Sequence, residues 1–114
     1  MILNTSKIKL PGLWDEIRAY EGKKFLTKKA LPFKYSIKGG ELLTHRRERS
    51  ITRSTFEKAY EKLRLDQEGE AAVKRIVGPK TLNVYGAPYV WAVFVGIGLI
   101  EEPLYIQQEM EEML

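Results

Sequence analysis

Read from its amino end, the chain shows a helical period, then an alternating one, then a helical one again. Pro11 suits the first turn of a helix. Leu10, Leu13, Trp14, Ile17 and Tyr20 follow the spacing of one helical face, and Gly22 is a natural C-terminal stop. Residues 1–9 alternate without a clear period, so a strand and a mobile arm are both open for them. After Gly22 the period drops to two. Phe25 and Thr27 alternate with Lys24, Leu26 and Lys28, and Phe33, Tyr35 and Ile37 alternate with Lys34, Ser36 and Lys38. Gly39-Gly40 can supply the positive φ of a two-residue hairpin turn, with the return strand from Glu41 to about Arg46.

A two-residue turn sets Lys38 against Glu41, Ile37 against Leu42, Ser36 against Leu43, Tyr35 against Thr44 and Lys34 against His45. Phe33, Tyr35, Ile37, Leu42 and Thr44 then share a core face. Lys34, Ser36, Lys38, Glu41, Leu43 and His45 share a mostly polar one. Slipping a strand by one residue would exchange its faces and bury its lysines, so the register is strongly specified.

A helix begins near Thr52, with two readings of its start. Thr52 as N-cap puts Ile51 and Phe56 in a hydrophobic staple; Ser54 as N-cap puts Glu57 in a capping box. Phe56, Ala59, Tyr60 and Leu63 form its buried stripe in either case. A polar loop over 66–70, a short helix through Ala72, Val73, Ile76 and Val77 closed by Gly78-Pro79, and a short strand over Leu82–Tyr85 complete the middle of the chain. Pro88 opens a further helix through Phe94, with strand as its rival, and Gly96 and Gly98 end it. Pro103 opens an amphipathic C-terminal helix with Ile106, Met110 and Met113 inward. The expected fold is α+β: a small antiparallel hairpin or three-stranded sheet packed against several α-helices, in one domain over residues 1–114.

The order KKFLTKK…PFKYSIKGGEL…R…ITRSTFEKAYE…VGPKTLNVYGAPYVWAVF resembles a small module recurring in bacterial and archaeal proteins, over roughly residues 22–95. Its pieces are a Phe-x-Thr strand, a Phe-x-Tyr hairpin, a Ser/Thr-capped Phe-Glu-x-Ala helix and a Gly-Pro followed by Pro-Tyr-Val-Trp. These are packing and turn residues. The resemblance implies an independent folding unit and carries over neither an activity nor a catalytic residue.

Composition narrows the chemistry. The 114 residues contain no cysteine, which removes disulfides and thiolate zinc sites and fits a reducing cytoplasm. No secretory leader is visible, and the apolar run from Ala87 to Ile100 falls short of the ~20 residues that span a bilayer, so no membrane partner is expected. The net charge of +4 is unevenly spread: residues 1–64 carry 16 Lys+Arg against 7 Asp+Glu, and residues 65–114 carry 3 against 8. Such polarity steers an acidic partner toward one end.

The basic half concentrates in HRRERSITR, residues 45–53, between the hairpin and the Thr52 helix. Guanidinium groups on ordered backbone suit phosphate. The candidate nucleic-acid-binding residues are Lys34, Lys38, His45, Arg46, Arg47, Arg49 and Arg53, with Lys23, Lys24, Lys28 and Lys29 nearby. The competing reading is a plain solvated face, diluted by Glu41 and Glu48. Tyr35, Tyr85, Tyr89 and Trp91 are candidates for base stacking, but core is the favoured reading for most of them, since Tyr35 shares a face with Phe33 and Ile37 and Trp91 lies in an apolar run. His45 is the single histidine and lacks the companions of a catalytic or metal site. Glu21-Gly22-Lys23 with Asp15 upstream matches the acid-x-Lys element of metal-dependent nucleases, but the tripeptide is common and Asp15 falls on a helix. No catalytic residue, cofactor or metal site is therefore assigned. The sequence favours a non-enzymatic nucleic-acid-binding module, for DNA or RNA. The alternative is a protein–protein interaction or regulatory domain, associating with a partner or as a homodimer through its acidic C-terminal helix.

Overall fold

Pro11, in the first turn of α1 (Leu10–Ala19), costs no intrahelical hydrogen bond there, and the helix buries Leu13, Trp14 and Ile17. The computed structural model describes residues 1–69 and 75–102. Before α1 lies β1 (Ile2–Leu3), and after it come β2 (Phe25–Leu26), β3 (Pro32–Phe33), β4 (Ser36–Lys38), β5 (Glu41–Leu43) and β6 (Ile51–Thr52). The second half holds α2 (Arg53–Gln67), α3 (Pro79–Leu82), α4 (Ala87–Gly96) and β7 (Ile100–Glu101). The class is α+β, with antiparallel pairs β1–β7 and β2–β3 and a three-stranded sheet β4-β5-β6. Of the two readings open for the first residues, the strand holds for Ile2–Leu3, and β1 lies against β7.

The hairpin register follows the two-residue turn: Lys38 pairs with Glu41, Ile37 with Leu42 and Ser36 with Leu43. Gly39 takes the positive φ, 58°, at the first central position, where a type II′ turn needs it. Phe33, Tyr35, Leu42 and Thr44 are buried while Lys34 and Lys38 are exposed, which is the expected sidedness. Two expected pairs are absent. The ladder stops at Ser36–Leu43, because the chain turns at Thr44, whose carbonyl accepts the Arg47 N–H at 3.1 Å. On the other strand Phe33 pairs with Phe25, and the Tyr35 carbonyl accepts the Gly22 N–H at 3.0 Å.

The Thr52 start of α2 is the one adopted. The Thr52 hydroxyl accepts from Thr55 N–H at 3.4 Å, and Ile51 and Phe56 are both fully buried. Phe56, Ala59, Tyr60 and Leu63 form the buried stripe. Phe56 meets Trp14 and Phe94 with ring centroids 5.8 and 6.0 Å apart, tying α1, α2 and α4 into one core. The polar ends of core aromatics are satisfied by backbone: Tyr35 donates to the Ile17 carbonyl, Tyr60 to Ile8 and Trp14 Nε1 to Gly39.

The expected strand over Leu82–Tyr85 is not formed. Gly78-Pro79 opens a helical turn instead of closing one: α3 follows directly, then Asn83 in the left-handed region (φ 52°, ψ 54°). The Thr81 hydroxyl accepts from the Val77 and Gly78 N–H groups, and Lys62 Nζ of α2 donates to the Leu82 and Asn83 carbonyls, so the start of this turn is capped from within and its end from outside. Arg75 to Val77 are not helical; Ala72 and Val73 of the expected short helix lie outside the described residues. After Gly86, α4 is a helix and not its rival strand, burying Val90 to Phe94, and Gly98 ends the run with φ 88°. The amphipathic C-terminal helix expected from Pro103 onward also lies outside the described residues.

Candidate nucleic-acid interface

Pairing of β5 with β6 makes residues 44–50 the loop of a second hairpin, so most of HRRERSITR is a turn held at both ends. Ser50 Oγ donates to the Glu41 carboxylate, which draws that acid to the base of the loop. Thr44, itself buried, accepts from the Arg46 and Arg47 N–H groups through its hydroxyl and carbonyl. Ile51 beyond the loop packs against Gly86, where an added Cβ would come within 2.6 Å of Ile51 Cδ1. Gly86 also has φ 67°, so its lack of a side chain serves both the turn and this close approach. The loop is thereby seated on the connection between α3 and α4.

Three arginines take defined places on it. Arg46 Nε donates to the Pro32 carbonyl at 2.7 Å, which sets it beside β3, two residues from Lys34. The Arg47 guanidinium lies over Tyr85 and Tyr89, its central carbon 4.6 and 5.8 Å from the ring centroids. Arg49 lies 5.1 Å from the centroid of Tyr85, whose hydroxyl is 3.5 Å from the Arg49 carbonyl. Tyr89 in turn meets Phe33 edge-on at 5.1 Å, connecting the cluster to the core. Arg47 Nε is buried and has no hydrogen-bond partner among the described residues. An unpaired buried donor costs on the order of 1–3 kcal/mol, so the ring contacts hold this arginine in place at a penalty that an apolar side chain would avoid.

Among the described residues, Arg46, Arg47 and Arg49 form no ion pair with a carboxylate, and neither does Glu48 in their midst. Arg53 differs: it begins α2, and its Nε lies 3.1 Å from Glu57 Oε2. Its charge is therefore partly used within the helix. His45 is exposed on the loop, and Lys34 and Lys38 are exposed along the β3–β4 segment. Arg46, Arg47 and Arg49 share one loop, and Lys34 lies two residues along the chain from Pro32, to which Arg46 bonds. Lys38 sits at the far end of β4, by the Gly39 turn.

The aromatic candidates divide. Tyr35 and Trp91 are core; burial, then the nearby Glu21 charge, pushes the Tyr35 phenol well above its usual range. Tyr85 is 36% exposed and Tyr89 half-buried, both beside arginine. This pairing across the fold was missed in the sequence; the one hint was a tyrosine placed in the Asn-Val-Tyr-Gly turn.

The acid-x-Lys element has structural occupations. Glu21 Oε2 accepts the Ile37 N–H at 2.6 Å, and Lys23 Nζ lies over Tyr20 at 4.8 Å from the ring centroid. No helix among the described residues is long and apolar enough to cross a membrane. Compared with protein-family models, curated proteins and solved structures, the chain finds no match, so its function has to be argued from the loop itself.

Proposed function

We propose that the protein is a nucleic-acid-binding module in which Arg46, Arg47 and Arg49 contact backbone phosphates. One observation carries the reading: three guanidinium groups of a single short loop are positioned by carbonyl and ring contacts, and none is neutralised by a carboxylate among the described residues. Solvated charge runs are normally long side chains free to move. Holding the cations in advance lowers the ordering entropy that phosphate binding would otherwise cost. Lys34 and His45 extend the positive surface, while Arg53, shared with Glu57, contributes less than its position in the sequence suggests.

Each phosphate contact lowers log K by about 0.7–0.9 per decade of salt. Three contacts give a slope of about −2 to −3, and a lysine contact would steepen it further. Fluorescence anisotropy with labelled DNA and RNA across a salt series measures this directly. Replacing Arg46, Arg47 and Arg49 together with Gln should flatten the slope, while Arg53→Gln alone changes it little. A protein that binds no nucleic acid at low salt would end this reading.

A further inference from the structure

Tyr85 distinguishes this loop from a patch of charge alone. Its ring stands at the surface between α3 and α4, and it is braced from two sides. The hydroxyl reaches the Arg49 carbonyl, and the adjoining Gly86 is locked against Ile51 Cδ1. Two guanidinium groups share that one ring, their central carbons 4.6 and 5.1 Å from its centroid. A guanidinium lying over a ring keeps its in-plane N–H donors for phosphate oxygens and its outer face for a flat partner. Arg49 and Tyr85 are both exposed, so the outer face of the Arg49 group and the uncovered part of the Tyr85 ring are open to solvent beside the other loop arginines.

The two classes of nucleic acid would use this surface differently. A duplex offers phosphates and groove edges but hides the faces of its bases. A single strand offers phosphates together with unstacked bases, which settle on aromatic rings and arginine planes. We infer that the Arg47–Tyr85–Arg49 group takes single-stranded nucleic acid, stacking one base on the Tyr85–Arg49 surface while the loop arginines hold the flanking phosphates. This inference rests on the phosphate-binding reading and adds to it the strand class and the base contact.

The test uses the whole protein in fluorescence anisotropy at low salt, with three probes of about twelve units, within the range of known single-strand sites. They are a thymidine strand, the same sugar–phosphate strand without bases, and a duplex. Stacking of one base predicts that the thymidine strand binds about 5- to 150-fold tighter than the base-free strand, which carries the same phosphates. Tyr85→Leu should bring that ratio toward one, Tyr85→Phe should preserve it, and Arg49→Lys should lower it while leaving the salt slope unchanged. The wild-type ratio needs no variant, so a misfolded Tyr85→Leu leaves the test intact. Equal, salt-sensitive binding of strands with and without bases would overturn the stacking inference and leave the phosphate reading standing. Tighter binding to the duplex than to the thymidine strand would overturn the strand assignment. Binding to none of the three would overturn both.

Discussion

Replacing Gly96 with alanine tests whether local propensity or packing rules the end of α4. Gly96 is the last residue of that helix, and its φ lies outside the left-handed region. Propensity alone makes Gly→Ala in a helix favourable by up to about 1 kcal/mol. Packing opposes it. A Cβ built there falls well inside van der Waals contact with Cε2 and Cδ2 of Phe25. That ring has nowhere to go: it is buried, with Tyr35, Phe33 and Tyr20 centroids at 5.2, 5.8 and 6.3 Å, and its backbone is paired to β3. Overpacking of a filled core costs about 1–3 kcal/mol. Set against the full propensity gain, the net loss is about 0–2 kcal/mol, or a fall in Tm of up to about 8 °C for a domain of this size. Thermal and urea unfolding followed by circular dichroism would measure it. In a Phe25→Leu background the same substitution should become neutral or stabilising, since the obstructing ring atoms are gone. A rise in Tm for Gly96→Ala in the native background, or the same change in both backgrounds, would refute the packing argument.

Two further outcomes are expected. Thr52→Ala should destabilise by about 0.5–2 kcal/mol in chemical denaturation, while Ser54→Ala should be nearly silent, because only Thr52 accepts a backbone N–H at the start of α2; the reverse ranking would restore the Ser54 cap. Tyr35 carries a phenol pKa raised above the ordinary 10, first by burial and then by Glu21. The folded state thus holds this proton more tightly than the unfolded chain, so the contribution is full below pH 10 and is lost as pH rises beyond it. Tyr35→Phe should lower stability at neutral pH by about 0.5–1.5 kcal/mol through the lost hydrogen bond to Ile17 and make the decline above pH 10 shallower; an unchanged alkaline decline would disprove the linkage.

Features set by neighbours in the chain were readable in advance. Alternation around Gly39-Gly40 specified the register because only one pairing keeps Lys34 and Lys38 in water, and Thr52 with Phe56 announced α2 through a short-range capping pattern. Prolines 11 and 88 marked helix starts for the same local reason. Where the outcome depended on distant residues, the sequence misled. Gly78-Pro79 is compatible with a helix end or a helix start, and the deciding contacts come from Lys62 at the end of α3 as well as from Thr81 within it. The hairpin stops short because Thr44 is drawn into the arginine loop. The loop's chemistry was visible as charge, but its ordering by Tyr85 joins residues 36 positions apart, and no periodicity reports such a pair.

The pairing of β1 with β7 also bears on how the molecule comes apart. Asn4 Nδ2 donates to the Gly98 carbonyl across 94 positions of chain, and the Asn4 N–H donates to Leu99. Closing so long a loop costs about 2 kcal/mol more chain entropy than bringing β6 onto β5 across the arginine loop. Only a few hydrogen bonds repay that cost locally, so these two strands are expected to join late in folding and to open early in unfolding. Leu3, Leu99 and Ile100 are nonetheless core residues. Weakening the β1–β7 clasp should therefore leave the rate of folding nearly unchanged and shorten the lifetime of the native state, so that the kinetic persistence of the molecule depends on its longest-range strand pair.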